Sequence, residues 1–101
     1  MNLIQNLVPK KRVLDFSKCQ YLGEVHQVIQ KELELPEWYG QNLSALWDVL
    51  TGYMYVPAEI TIIYKPETKK SEELASAIQK IVAVFQEAKQ EFNEITLDVK
   101  M

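Results

Sequence analysis

The apolar positions of this chain change period several times, and the changes mark out its elements. Val13-Leu14-Asp15-Phe16 is short and mostly apolar, which predicts a strand. From Glu24 to Leu35 the apolar residues Val25, Val28, Ile29 and Leu33 recur at helical spacing. Leu35-Pro36 closes that run, because a residue before proline is pushed out of the helical region. A second, shorter helix is predicted from Asn42 to Gly52. Asn42 is a good N-cap. Leu43, Leu46, Trp47 and Leu50 fall at i, i+3, i+4 and i+7, and Gly52 stands where a left-handed residue would end the helix. Residues 59–64, EITIIY, are rich in β-branched side chains and nearly continuous, the pattern of a strand buried on both faces. The polar stretch 65–70 breaks the chain, and Ser71 is placed to cap a long helix with Glu72 and Glu73 in its first turn. That helix carries Leu74, Ile78, Ile81, Phe85, Ala88 and Phe92 along one stripe. Ile95 to Val99 alternates and predicts a last strand.

The order is β-α-α-β-α-β. Strands joined through helices imply a parallel sheet with right-handed crossovers. The expected fold is therefore a small α/β layer structure: a three-stranded parallel sheet with flanking helices. With 101 residues the chain suits one domain, 12–101, preceded by an N-terminal extension, 1–11.

The predicted Asn42–Gly52 helix carries more than a core face. Ser44, Asp48 and Thr51 recur at i, i+4 and i+7, roughly a quarter-turn from the apolar positions at about 100° per residue. Trp38 and Tyr39 lie just upstream. An acid, hydroxyls and nearby aromatics on a surface the core does not require suit a partner. Trp47, on the apolar face, is expected in the core. Trp38 is either a lid on that core or an anchor for a partner.

Charge sharpens the picture. The whole chain carries only −3, but from Glu32 to Tyr64 it has no lysine or arginine and five acids: Glu32, Glu34, Glu37, Asp48 and Glu59. A field of one sign steers a basic partner. It disfavours direct nucleic-acid binding, which needs the opposite sign. The plainer reading is an ordinary solvated acidic face.

Little else offers chemistry. Cys19 is the only cysteine, so no internal disulfide forms and a reducing, cytoplasmic setting is expected. The N-terminus lacks the features of a signal peptide, and no window has the length of a membrane span. His26, the only histidine, falls mid-helix, where a buried residue with one satisfied nitrogen is the natural reading. One histidine and one cysteine do not make a metal site, and no phosphate-binding glycine motif is present. An enzyme would have to use Asp48, Glu87 or His26, with no nucleophile and base paired in sequence. No catalytic residue and no cofactor is expected. Glu87 and Glu91 lie off the stripe of the long helix and read as solvated.

Residues 33–52, LELPEWYGQNLSALWDVLTG, resemble the signature segment of the barstar family, intracellular inhibitors of an extracellular ribonuclease. The stretches around Val25-His26-Gln27 and Val84–Glu91 resemble it too, so the similarity spans about residues 12 to 100. The resemblance implies the same three-stranded parallel fold. It also implies inhibition by the second helix and its preceding loop, placed in the active site of a basic, barnase-like ribonuclease. Asp48 matches the family's main inhibitory aspartate. Trp38 stands for an interfacial tyrosine, Asn42, Trp47, Thr51 and Gly52 match contact positions, and Glu87 matches an acidic contact on the long helix. Ser44 departs from the pattern, standing where the family has a second interfacial aspartate. The free protein is expected to be monomeric, with no membrane or cofactor involved. The alternative reading keeps the fold and replaces the nuclease with a different basic protein.

Overall fold

In the computed structural model, which describes residues 10–53, 57–65 and 72–100, the elements follow the expected order. They are β1 (Lys10–Asp15), α1 (Leu22–Glu32), α2 (Leu43–Gly52), β2 (Ala58–Ile63), α3 (Glu72–Glu91) and β3 (Ile95–Lys100). The strands form one parallel sheet in the order β1-β2-β3. The expected cap at Ser71 and most of the break at 65–70 lie outside the described residues.

Sequential parallel strands with right-handed crossovers put every helix on the same side of the sheet. Along β2 the residues Ala58, Ile60 and Ile62 are buried, whereas Glu59, Thr61 and Ile63 are only half-buried. The expectation of a strand buried on both faces is thus corrected. The outer face is open, and its edge strands show Lys11, Val13 and Asp15 on one side and Thr96, Asp98 and Lys100 on the other.

The core lies between the sheet and the helices. Phe16, Leu14, Ile29, Leu46, Ile60, Ile62, Ile78, Ile81 and Phe85 are at most 1% exposed. The α3 stripe from Leu74 to Ala88 is buried as expected. Phe92 falls just beyond the helix and packs half-buried against the core.

Helix ends differ from the sequence reading for local reasons. α1 starts two residues early because Glu24 Oε1 accepts the N–H groups of Gln20 (2.9 Å) and Tyr21 (3.2 Å), one half of a capping box. It stops at Glu32, short of Leu35. Leu35 N–H reaches back to Gln30 C=O (2.9 Å) and Glu34 N–H to Lys31 C=O (3.3 Å), a Schellman closure with Glu34 left-handed at φ 54°. At α2, Asn42 Oδ1 accepts from Ala45 N–H at 2.8 Å, the predicted cap. Gly52 is the last helical residue, with no left-handed φ, and Tyr53 is the C-cap, so the expected glycine stop is corrected. Asn42→Ala is expected to lower stability by about 1 kcal/mol, read as a reduced urea midpoint at unchanged slope.

β1 begins at Lys10, three residues before the apolar run. Arg12 aligns with Ile60 on the helix side of the sheet, and its guanidinium reaches Glu34 at 2.9 Å. Lys10 Nζ lies 3.9 Å from the same carboxylate. The hydrogen bond from Arg12, its charge, and then that of Lys10 hold the Glu34 carboxyl below the usual range. Among the described residues no helix is long and apolar enough to cross a membrane.

Candidate functional site: the α2 helix and its entry loop

Pro36 to Asn42 is a loop with a firm base. Gln30 Nε2 donates to Pro36 C=O at 2.8 Å, and Tyr39 N–H donates to the same carbonyl at 3.0 Å. Tyr39 is buried, and its hydroxyl lies 2.7 Å from Nδ1 of His26, itself 3% exposed. Burial pushes the Tyr39 hydroxyl up to about 12 and lowers the His26 imidazole from its ordinary value. Both therefore stay neutral near pH 7. His26 is the buried helix histidine with one satisfied nitrogen that the sequence predicts.

The neighbouring aromatic goes the other way. Trp38 is 69% exposed and meets Tyr53 edge-on, ring centroids 5.6 Å apart. It is no lid on the core. Tyr53, at the far end of α2, is half open to solvent, and neither the apolar nor the polar stripe of the helix marks it. Its position beside Gly52 was the available signal.

α2 is rotated relative to its predicted setting. Its buried residues are Leu46, Val49 and Leu50, with Leu43 exposed at 38% and Trp47 half-buried. At 100° per residue this turns the inward face by about 60° from the predicted centre. Trp47 is therefore corrected from core residue to core edge. Ser44 and Asp48, both exposed, then lie close to opposite the core rather than a quarter-turn from it. Thr51 is half-buried, and its hydroxyl donates to Trp47 C=O at 2.7 Å. Gly52 is exposed, with open space where a Cβ would stand.

The structure thus gathers Trp38, Asn42, Ser44, Trp47, Asp48, Thr51 and Gly52 onto one helix and its loop. Glu87 sits apart in sequence, exposed on α3, which packs against α2. The acidic run does not carry over whole. Glu34 is engaged with Arg12 and Lys10, and Glu59 projects from the outer sheet face in register with Lys11. On the α2 segment itself, Glu37 and Asp48 remain exposed, with no lysine or arginine between Pro36 and Tyr53. Such a surface can accept charge-assisted hydrogen bonds from a cationic partner. Among the described residues no His, Cys, Asp and Glu cluster could hold a metal ion.

The family profile described as Barstar (barnase inhibitor) matches residues 10–101. The chain belongs to the barstar family. A Bacillus subtilis (strain 168) protein named "Putative ribonuclease inhibitor YrdF" is 31% identical over 85 residues, covering 84% of this chain and 91% of that protein. The barstar-family fold agrees with the three-stranded parallel sheet, and the match begins where β1 begins, at residue 10.

The His26–Tyr39 pair makes the loop base sensitive to acid. Above the ordinary value of 6.5 the imidazole is neutral folded and unfolded. Below it the unfolded chain takes the proton first, because the folded value is lowered. This contribution to stability is thus present above pH 6.5 and is lost as pH falls towards the folded value. His26→Gln is expected to flatten the wild-type decline of urea midpoint below pH 6.5, a difference that paired titrations read directly.

Proposed function

We propose that this protein is an inhibitor of a basic, secreted ribonuclease, acting in the cytoplasm as a monomer and without catalysis, cofactor or direct contact with RNA. The observation that carries the reading is Asp48: a carboxylate exposed opposite the core on a capped helix, in a barstar-family chain. A ribonuclease holds its substrate phosphate with cationic side chains. Asp48 occupies that subsite and accepts their hydrogen bonds, while Ser44 and Asn42 line the helix start and Trp47, Thr51 and Gly52 its far half. Trp38 and Tyr53 supply aromatic area beside the charge, and Glu87 adds an acid from α3. The helix and the anchored loop are already ordered, so little conformational entropy is lost on binding.

The test is inhibition of purified secreted ribonucleases by the full chain, with direct binding measured in parallel. Stoichiometric loss of turnover supports the reading; a nuclease panel left fully active defeats it.

Ser44 favours a second reading, in which the same face binds a different basic protein. The α2 surface carries one acid fewer than the family pattern there. Ser44→Asp separates the two. Against a barnase-like nuclease it is expected to speed association, with a gain that shrinks in salt. Melting temperature should hardly move. The new acid lies one turn before Asp48, but the helix dipole near the N-terminus offsets much of that repulsion. A weaker complex assigns the face to a partner without the matching cation.

A further inference from the structure

Beside the start of α2 the packing leaves a cavity of about 580 Å³ between α1 and the first half of α3. That volume is in the range of small-molecule sites. It shares Leu22, Glu73 and Ala77 with an adjoining hollow of about 280 Å³, which marks one end. The other end is formed by His26, Lys80, Ile81 and the entry to α2 at Gln41, Asn42 and Leu43. Leu22 and Leu43 are exposed apolar side chains at 43% and 38%.

His26 is a polar, almost fully buried residue of the cavity lining. Its Nδ1 is taken by the Tyr39 hydroxyl, and Nε2 has no hydrogen-bond partner among the described residues. The buried Tyr39 O–H has no other acceptor among them, so we assign it as the donor to Nδ1, the tautomer that satisfies the hydroxyl and puts the ring proton on Nε2. The free group is therefore a donor. Lys80 adds a cation and the α2 N-terminus the positive end of a dipole. The acids Glu72 and Glu73 begin α3, and Lys80 follows Glu73 by seven residues, about 10 Å along the helix axis. Charge is thus polarised along the cavity, negative at one end and positive at the other.

We propose that this cavity binds a small amphipathic carboxylate. Its apolar body lies against Leu22, Leu43, Ala77 and Ile81, and its carboxylate meets His26 Nε2–H and Lys80. A compound with an acid but no apolar body lacks the contact area. An uncharged body lacks the anchor. The site borders the nuclease-facing helix through Asn42 but does not depend on what that helix binds.

The experiment is a titration of the full chain with octanoate, octanol and acetate, followed by amide and imidazole NMR shifts. Octanoate is expected to produce saturable shifts at residues 41–43, at residues 76–81 and at the His26 ring, and acetate none. Octanol should bind at least about fivefold more weakly than octanoate. Lys80→Glu, an exposed change, should weaken octanoate by a similar factor and leave octanol unaffected. Ala77→Trp, which fills the cavity, should abolish both. Absence of saturable shifts overturns the proposal. So does equal affinity for acid and alcohol, or octanoate binding that is indifferent to both variants.

Discussion

Replacing Asp48 by alanine is expected to weaken the complex with the target ribonuclease by about 2–5 kcal/mol, the usual loss when one partner of a desolvated charge pair is removed. On the dissociation constant that is roughly a factor of thirty to several thousand. The melting temperature should stay where it is, because Asp48 is exposed and lies across the helix from Leu46, Val49 and Leu50. The loss should appear chiefly in the dissociation rate. Glu91→Ala, at the exposed end of α3, serves as the comparison and should change neither the binding nor the folding free energy by more than about 0.5 kcal/mol. An Asp48→Ala protein that inhibits as well as the wild type would take the residue out of the mechanism.

Phe85→Ala acts on the opposite property. Phe85 is fully buried on the inner stripe of α3, and truncating such a side chain costs about 3–5 kcal/mol. Small domains have a total stability of only about 5–15 kcal/mol, so a large part of the margin goes. Urea unfolding should show a much lower midpoint, and inhibition should survive wherever the variant remains folded. Trp47→Ala should cost less than Phe85→Ala, since the structure leaves Trp47 half-buried at the core edge. Equal melting curves for Phe85→Ala and wild type would overturn the placement of α3.

The sequence made the element order and the parallel sheet legible because each element has a clear period and the crossovers follow from chirality. The long α3 stripe spans enough turns to fix its own inward face. α2 does not. In ten residues Leu43, Ala45, Leu46, Trp47, Val49 and Leu50 are apolar round about 200° of the helix, so periodicity alone cannot set its rotation. Tertiary packing chose Val49 over Trp47. β1 starts early because Lys10 and Arg12 are held by Glu34, which is twenty-two residues from Arg12 and invisible to a local pattern. The same distance hid the fate of the acidic run: Glu34, past the end of α1, is tied to β1, and Glu59 lies on β2. Of the candidate site, Asn42, Asp48 and Trp38 were found from sequence, whereas Tyr53 emerges only when its ring is seen against Trp38.

The exposure of Trp38 beside Tyr53 also gives the protein two distinct optical windows. Its only tryptophans are Trp38, largely open to solvent, and Trp47, half-buried under the core edge. Indole emission follows the polarity around each ring. Trp38 should emit to the red, open to collisional quenchers, and it sits on the surface proposed for a partner. Trp47 should emit further to the blue and change most when the helix leaves the core. An unlabelled sample therefore carries a docking signal weighted to Trp38 and, in the free protein, an unfolding signal weighted to Trp47, separable by wavelength and by quencher.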